Sequence, residues 1–329
     1  MAGHGYDRPL RVVLAEWQTE EAFHRAITTP AELIASPGLG DDQVAPLLGD
    51  ADVLISRRFT AAMATKAPQL RLIHTPGAGI NEIDLSAVPD HTTVCNVYGH
   101  ESSIAEYVFM VLLALNRDLL NMDRRFRQFD WSDRARGPQR DLSGSTLGIV
   151  GLGRIGREVA RRARVFGMRV VAATRTPRPD HATELGIDRL VGMDGLGGIL
   201  SEADVLVVAV PLDRDTTGLL GARELSLLRP SAYLVTVARG PVIDEDALFE
   251  ALSGRRIAGA AIDVWYRYPD DRIHGAPSAR PFHELDNVIL TPHIAGWTHG
   301  TFAHRWARIN ENLSRLASGA PLLDVVHPG

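Results

Sequence analysis

Five residues of strand character, Thr146-Leu-Gly-Ile-Val150, run directly into Gly151-Leu152-Gly153-Arg154-Ile155-Gly156, and an amphipathic helical pattern, Arg157–Phe166, follows. A strand that turns on glycine into a helix commits this stretch to a βαβ unit and a helix-covered parallel sheet. Each glycine has its own task. Gly151 permits the tight turn, Gly153 lets the backbone approach a pyrophosphate, and Gly156 lets the helix lie close on the strand. Arg154 and Ile155 open the helix, where free N–H groups and the positive helix end attract an anion. The pattern is that of a dinucleotide site.

The same rhythm extends along the chain. Apolar runs at Leu10–Ala15, Asp52–Ser56, Leu70–His74 and Thr93–Asn96 precede the glycine loop. Arg169–Ala173, Asp204–Val210, Ser231–Val237, Gly259–Asp263 and Val288–Leu290 follow it. Amphipathic stretches between them predict two parallel sheets with right-handed crossovers. Two long helices are expected, from Ser102 through Leu120 and from Thr298 to Ala317, with a polar, Arg-rich arm at Arg124–Arg140. The tail is too short to fold alone and is expected to return to the first sheet. The fold class read from this is α/β, two Rossmann-like domains, with residues 99–295 inserted into a domain made of 1–98 and 296–329.

Composition excludes several classes of function. With 40 acidic against 35 basic residues among 329, the formal charge of -5 argues against a nucleic-acid surface. The longest apolar run, Tyr107–Leu115, has nine residues, short of the ~20 that span a bilayer. The first residues are charged and lack a leader-like apolar core, so a cytoplasmic location is expected. The single cysteine, Cys95, rules out an internal disulfide, and no metal site is apparent.

The residue ending the strand after the glycine loop selects the cofactor. An NAD site usually offers a carboxylate to the ribose 2′-hydroxyl there. This chain has Thr174 followed by Arg175 and Arg178, with no acid before Asp180. Arginine grips a 2′-phosphate where a carboxylate would repel it, which favours NADP over NAD. Three further segments end strands at the edge where α/β sheets bind ligands. Thr236-Val-Ala-Arg239-Gly240 offers a cation for a carboxylate or carbonyl. Ala260-Ala-Ile-Asp263-Val-Trp265 offers an acid suited to a nicotinamide carboxamide. Thr291-Pro-His293-Ile-Ala-Gly296-Trp297 offers a histidine able to exchange a proton with a substrate hydroxyl.

Taken with Gly77-Ala-Gly79-Ile-Asn-Glu-Ile-Asp84, Asn96-Val-Tyr-Gly99, Ser103-Ile-Ala-Glu106 and Pro211 with Thr216–Thr217, these segments resemble the D-2-hydroxyacid dehydrogenases over nearly the whole chain. The resemblance implies hydride transfer between a nicotinamide cofactor and a small 2-keto or D-2-hydroxy acid. It implies that Arg239 binds the substrate carboxylate and carbonyl, and that His293 is the acid–base. Ala78 and Gly79 would cradle the carboxylate, Arg57 would assist as in some members, and Trp297 would contact substrate. Val210, Pro211, Thr216, Val237, Ala238, Asp263 and Gly296 would meet the cofactor. The Thr174-Arg175 pair is similar to that of NADPH-using glyoxylate/hydroxypyruvate reductases. A homodimer through the helix from Ser102 and the arm Arg124–Arg140 is also implied.

One position departs from that pattern. The family usually pairs the histidine with a glutamate just before the proline that follows the DVF or DVW segment. Here Tyr268 precedes Pro269. Without the carboxylate, His293 is expected nearer the ordinary histidine range and less protonated at neutral pH. Either Tyr268 orients it, or Asp270, Asp271 or Glu284 takes the glutamate's place. The loop Asp270–Asp286 is long and carries Arg272, His274, Arg280 and His283, as a substrate cover or a solvated surface. Three other functions stay open at this point. They are a dehydrogenase of an unusual anionic alcohol such as a phosphonate analogue, formate oxidation, and a non-catalytic dinucleotide-sensing binding protein like the C-terminal binding protein corepressors.

Overall fold

The computed structural model describes residues 8–15, 20–35, 40–269 and 274–329. Asp270, Asp271 and Arg272 lie outside them. The chain forms two compact units, Met1–His100 with Thr298–Gly329, and Glu101–Trp297.

The first unit holds β1 (Leu10–Leu14), β2 (Ala31–Ala35), β3 (Val53–Ile55), β4 (Leu72–His74), β5 (Thr93–Cys95) and, after the second unit's strands β6–β12, β13 (Val325–His327). Their order is β13-β5-β4-β3-β1-β2. All neighbours are parallel except β13, which runs antiparallel to β5. Helix His299–Ser318 lays Trp306, Ile309 and Leu313 on one face of this sheet, against Leu10, Val12, Leu14 and Leu72. Its N-cap is Thr298, whose Oγ1 accepts the Thr301 N–H at 3.2 Å, and Gly319 ends it at φ 71°.

The second unit carries β6 (Thr146–Val150), β7 (Arg169–Ala173), β8 (Arg189–Val191), β9 (Val205–Val208), β10 (Tyr233–Thr236), β11 (Gly259–Ile262) and β12 (Val288–Leu290). The order β12-β11-β10-β9-β6-β7-β8 is parallel throughout. The chain reverses direction across the sheet between β6 and β9, so a ligand crevice opens beyond their carboxyl ends.

The helix expected from Ser102 through Leu120 is two helices, Glu101–Asn116 and Leu119–Phe126. The break falls at Asp118, whose φ of 48° no straight helix accommodates. Its carboxylate is used locally, accepting from Asn121 Nδ2 at 2.7 Å and from Arg125 Nη2 at 2.9 Å. Strands β2, β8 and β13 are additions to those read from sequence.

Candidate functional site

At the end of β6, Gly151 turns with φ 98°. A Cβ there would meet Val210 Cγ1 at 2.7 Å and the Ala209 carbonyl oxygen at 2.8 Å, so the glycine lets the β6 and β9 ends touch. A Cβ on Gly156 would collide with the Gly151 carbonyl. Gly153, the N-cap of helix Arg154–Val165, has open space within 4 Å of where its Cβ would stand. The exposed glycine at a helix N-terminus is a cradle that a side chain would fill, and it suits a pyrophosphate. Arg154 is exposed beside it and Ile155 half-buried.

Thr174, half-buried, ends β7, and the exposed Arg175 follows. Arg175 Nη2 donates to Asp213 Oδ2 at 2.6 Å and lies 3.7 Å from Asp215 Oδ2. That pairing holds the Asp213 carboxyl below its usual range. Arg178 is exposed at the N-cap of Pro179–Leu185. The loop after β9 is shaped from within: the buried Thr216 hydroxyl donates to the Pro211 carbonyl at 2.6 Å and accepts the Asp213 N–H at 2.8 Å. The sequence reading set Thr216 against the cofactor. The structure gives its hydroxyl to the loop, leaving Pro211 exposed beside the buried Val210.

β10, β11 and β12 are adjacent and parallel, so the segments that follow them share one sheet edge. Val237 and Ala238 are buried there, and the next residue, Arg239, is half-buried. Its Nη1 donates to the Ala238 carbonyl at 2.7 Å, and among the described residues it forms no ion pair. Gly240 is required because a Cβ would strike the Trp265 carbonyl.

Asp263, 1% exposed, holds the histidine loop. Its Oδ1 accepts from Thr291 Oγ1 at 2.6 Å and from the Ile294 N–H at 2.9 Å, while Oδ2 accepts from the Ala295 N–H at 2.9 Å. Burial pushes this carboxyl up, and the three hydrogen bonds oppose the shift. Asp263, expected from sequence beside a nicotinamide carboxamide, also fastens the loop, because three donors converge on its two oxygens. Thr291 Oγ1 lies 2.6 Å from Tyr107 Oη; since Thr291 donates to Asp263, Tyr107 donates to Thr291. Trp265 Nε1 donates to the Thr291 carbonyl at 2.8 Å. Tyr107, Thr291 and Trp265 were not singled out as loop supports. Nothing in sequence joins positions so far apart, although the motifs Asp263-Val-Trp265 and Thr291-Pro-His293 carry two of them.

This clamp presents His293 at φ 58°, a strained backbone for a residue with a Cβ. The ring is exposed, and Tyr268 Oη stands 2.9 Å from its Nδ1. The Tyr268 oxygen also accepts the Trp265 N–H at 3.1 Å. Of the alternatives for the usual glutamate among the described residues, Tyr268 is therefore at the ring. Glu284 sits in the exposed turn Phe282–Glu284 beside His283. Ser278, Ala279 and Arg280 are fastened to Glu245 and Asp246, which anchors this part of the long loop to the helix Glu245–Ser253. Trp297, 45% exposed, donates its N–H to the Ile294 carbonyl at 2.8 Å, and Gly296 is half-buried.

In the first unit, the Gly77 carbonyl accepts from Thr75 Oγ1 at 2.7 Å and from the Val97 N–H at 3.1 Å, and the Ala78 carbonyl accepts from Asn96 Nδ2 at 2.9 Å. In a trans peptide the N–H points opposite to the C=O. The N–H groups of Ala78 and Gly79 therefore face away from these anchors, an arrangement suited to an anion. Arg57 is half-buried after β3.

Among the described residues no helix is long and apolar enough to cross a membrane, and no cluster of three metal-ligating side chains occurs. Residues 109–295 match the model of the D-isomer specific 2-hydroxyacid dehydrogenase NAD-binding domain. The chain is 34% identical over 289 residues to a glyoxylate reductase of Thermococcus onnurineus, covering 82% of this chain and 81% of that protein. It is 31% identical over 324 residues to a D-3-phosphoglycerate dehydrogenase of Archaeoglobus fulgidus, covering 97% of this chain but only 59% of that longer relative. The solved structure of TT0316 from Thermus thermophilus superposes with a TM-score of 0.82 at 30% identity, covering 96% of this chain and 100% of that one. On the matched glycine loop, sheet order and Arg239–Asp263–His293 edge, the chain belongs to the D-isomer specific 2-hydroxyacid dehydrogenase family.

Proposed function

We propose that the protein interconverts a small 2-keto acid and its D-2-hydroxy acid. The observation that carries this is Arg239, a cation without an ion pair among the described residues, on the edge where the Asp263 clamp presents His293. A bound nicotinamide supplies or accepts the hydride at the carbonyl carbon. Arg239 fixes the substrate carboxylate and polarises the carbonyl, so that negative charge growing on oxygen is stabilised. His293 Nε2 gives that oxygen its proton in reduction and takes it back in oxidation. Gly153 with the Arg154 and Ile155 amides would hold the pyrophosphate, on the turn and packing that Gly151 and Gly156 permit, and Ala78 and Gly79 would form a carboxylate cradle in their own unit.

NADPH is the proposed preference. Thr174 puts no carboxylate against a 2′-phosphate, and Arg175 and Arg178 flank that position. Asp213 is the counter-ion such a phosphate displaces from Arg175. We also propose that a second copy covers the exposed Leu119, Leu120, Phe126 and Phe129. A monomeric mass in solution would reject that pairing.

NADPH and NADH oxidation, followed separately with glyoxylate, hydroxypyruvate, pyruvate, a branched 2-keto acid and phosphonopyruvate, tests the reading. Turnover of a 2-keto acid with NADPH preferred is expected. Turnover with NADH preferred overturns the cofactor choice alone. Turnover of phosphonopyruvate alone shifts the substrate to the phosphonate class. Tight cofactor binding with no turnover leaves a dinucleotide-binding protein.

A further inference from the structure

The arrangement at Nδ1 of His293 differs in kind from a carboxylate–histidine pair. A carboxylate only accepts, so it holds a proton on Nδ1 and favours the imidazolium. A phenol both accepts and donates. One lone pair of the Tyr268 oxygen is already engaged by the Trp265 N–H at 3.1 Å, and the ring nitrogen stands 2.9 Å away.

We propose that Tyr268 donates its hydroxyl proton to Nδ1, holding His293 neutral with its proton on Nε2, and that Tyr268 is the proton source behind His293 during ketone reduction. This rests on the oxidoreductase reading above. The proton balance is complete. Hydride addition leaves an alkoxide; the Nε2–H bond breaks as the alkoxide O–H bond forms. The Tyr268 O–H bond breaks as an Nδ1–H bond forms, which leaves His293 neutral throughout. The resulting phenolate is stabilised by the Trp265 N–H and, being on a side chain 52% exposed, regains its proton from water. Oxidation runs the same path backwards. Tyr268 acts through His293 and is a positioning residue, not a group that touches substrate.

Other ionisable groups surround the loop. Asp263 is bound to the Ile294 and Ala295 amides, Tyr107 reaches Thr291, and Arg239 follows β10, the next strand but one from β12. The turn Phe282–Glu284 carries His283 and Glu284, and Asp270, Asp271 and Arg272 follow Tyr268 in sequence. None of these supplies a proton to Nδ1 in the proposal.

The consequence is a reduction rate that does not need an imidazolium. A free imidazole titrates near about 6.5 and a phenol near about 10. For the wild-type enzyme, kcat/KM for 2-keto acid reduction is expected to stay within about twofold between roughly pH 7 and pH 9. In Tyr268→Phe the proton must come from the imidazolium, so kcat/KM falls about tenfold per pH unit once the imidazolium is lost. Tyr268→Glu restores a carboxylate partner and moves that fall to higher pH. Nitrogen-15 NMR of histidine-labelled protein without substrate, with His293 assigned through His293→Gln, reads the tautomer directly. An unprotonated, hydrogen-bonded Nδ1 at neutral pH is expected, and its signal changes in Tyr268→Phe. The proposal is overturned if Nδ1 carries the proton at neutral pH, or if Tyr268→Phe keeps the wild-type profile. It is equally overturned if Asp270→Asn or Asp271→Asn, instead of Tyr268→Phe, produces the fall. Absence of any wild-type turnover would count against the oxidoreductase reading, while the NMR result would still decide the hydrogen bond.

Discussion

His74 makes the first unit sensitive to acid. Its ring is fully buried at the end of β4. Nδ1 lies 3.1 Å from the Thr75 carbonyl and therefore carries the proton, while Nε2 accepts from Asn312 Nδ2 at 3.0 Å. Asn312, also fully buried, accepts the Leu323 N–H at 2.8 Å and donates to the Leu323 carbonyl at 3.0 Å, tying the last helix to the tail. Protonating Nε2 would set a second donor against an amide N–H. Burial, aided by the Arg308 charge and opposed by the Thr75 hydrogen bond, lowers the His74 pKa to about 4. The unfolded chain, titrating near about 6.5, binds the proton first, so stability is complete above that pH and is lost as pH falls towards 4. A shift of this size corresponds to about 3 kcal/mol in full, of which about 1.3 kcal/mol is lost between pH 7.5 and pH 5.5. Urea unfolding of the wild type and of His74→Gln at those two pH values isolates the effect, since other histidines are common to both. The wild type should lose about 1.3 kcal/mol more than the variant over that interval. Equal losses, or a His74 ring resonance that titrates near neutrality in the folded protein, would refute the reasoning.

Other outcomes follow from the same geometry. Gly156→Ala forces a methyl into the Gly151 carbonyl and should cost about 2 kcal/mol or more in a thermal melt. Gly153→Ala has open space and should melt like the wild type while losing dinucleotide affinity by calorimetry. Asp213→Asn releases Arg175 and should lower the Kd for NADPH roughly two- to fivefold with little change for NADH; the two pairing residues are exposed, which keeps the effect small. Asp263→Ala leaves the Thr291 hydroxyl and two amides without their acceptor, so a loss of about 2–4 kcal/mol is expected along with turnover.

Much of this was legible in the chain because its signals are local. The Gly151–Gly156 loop and the apolar runs reveal parallel sheets before any contact is known. Three strands were not legible. β8 is three half-buried residues, and β13 is a short edge strand paired antiparallel at the other end of the chain. β2 is also an edge, with a charged residue, Glu32, within it engaging Arg11. The helix break at Asp118 escaped because a residue with helical neighbours enters the left-handed region only when later side chains, here Asn121 and Arg125, reward it. At the site, residue types at strand ends pointed to Arg239 and His293. The division of labour did not show, since Tyr107 to Thr291 and Arg175 to Asp213 are long-range pairings. The sequence could raise Tyr268 as a candidate, but only the 2.9 Å approach to Nδ1 separates it from Glu284.

The central claim is that Arg239 holds a substrate carboxylate while His293 serves the carbonyl oxygen. It is tested most directly by comparing the kcat/KM of wild type and Arg239→Gln for a 2-keto acid and for the matching ketone with the carboxylate replaced by methyl. The account predicts that the wild type prefers the acid strongly, and that the variant loses at least about a hundredfold on the acid and distinctly less on the ketone, which has only the carbonyl contact to lose. A variant that reduces the 2-keto acid at the wild-type rate, or that loses both substrates equally while folded and binding cofactor, would contradict it.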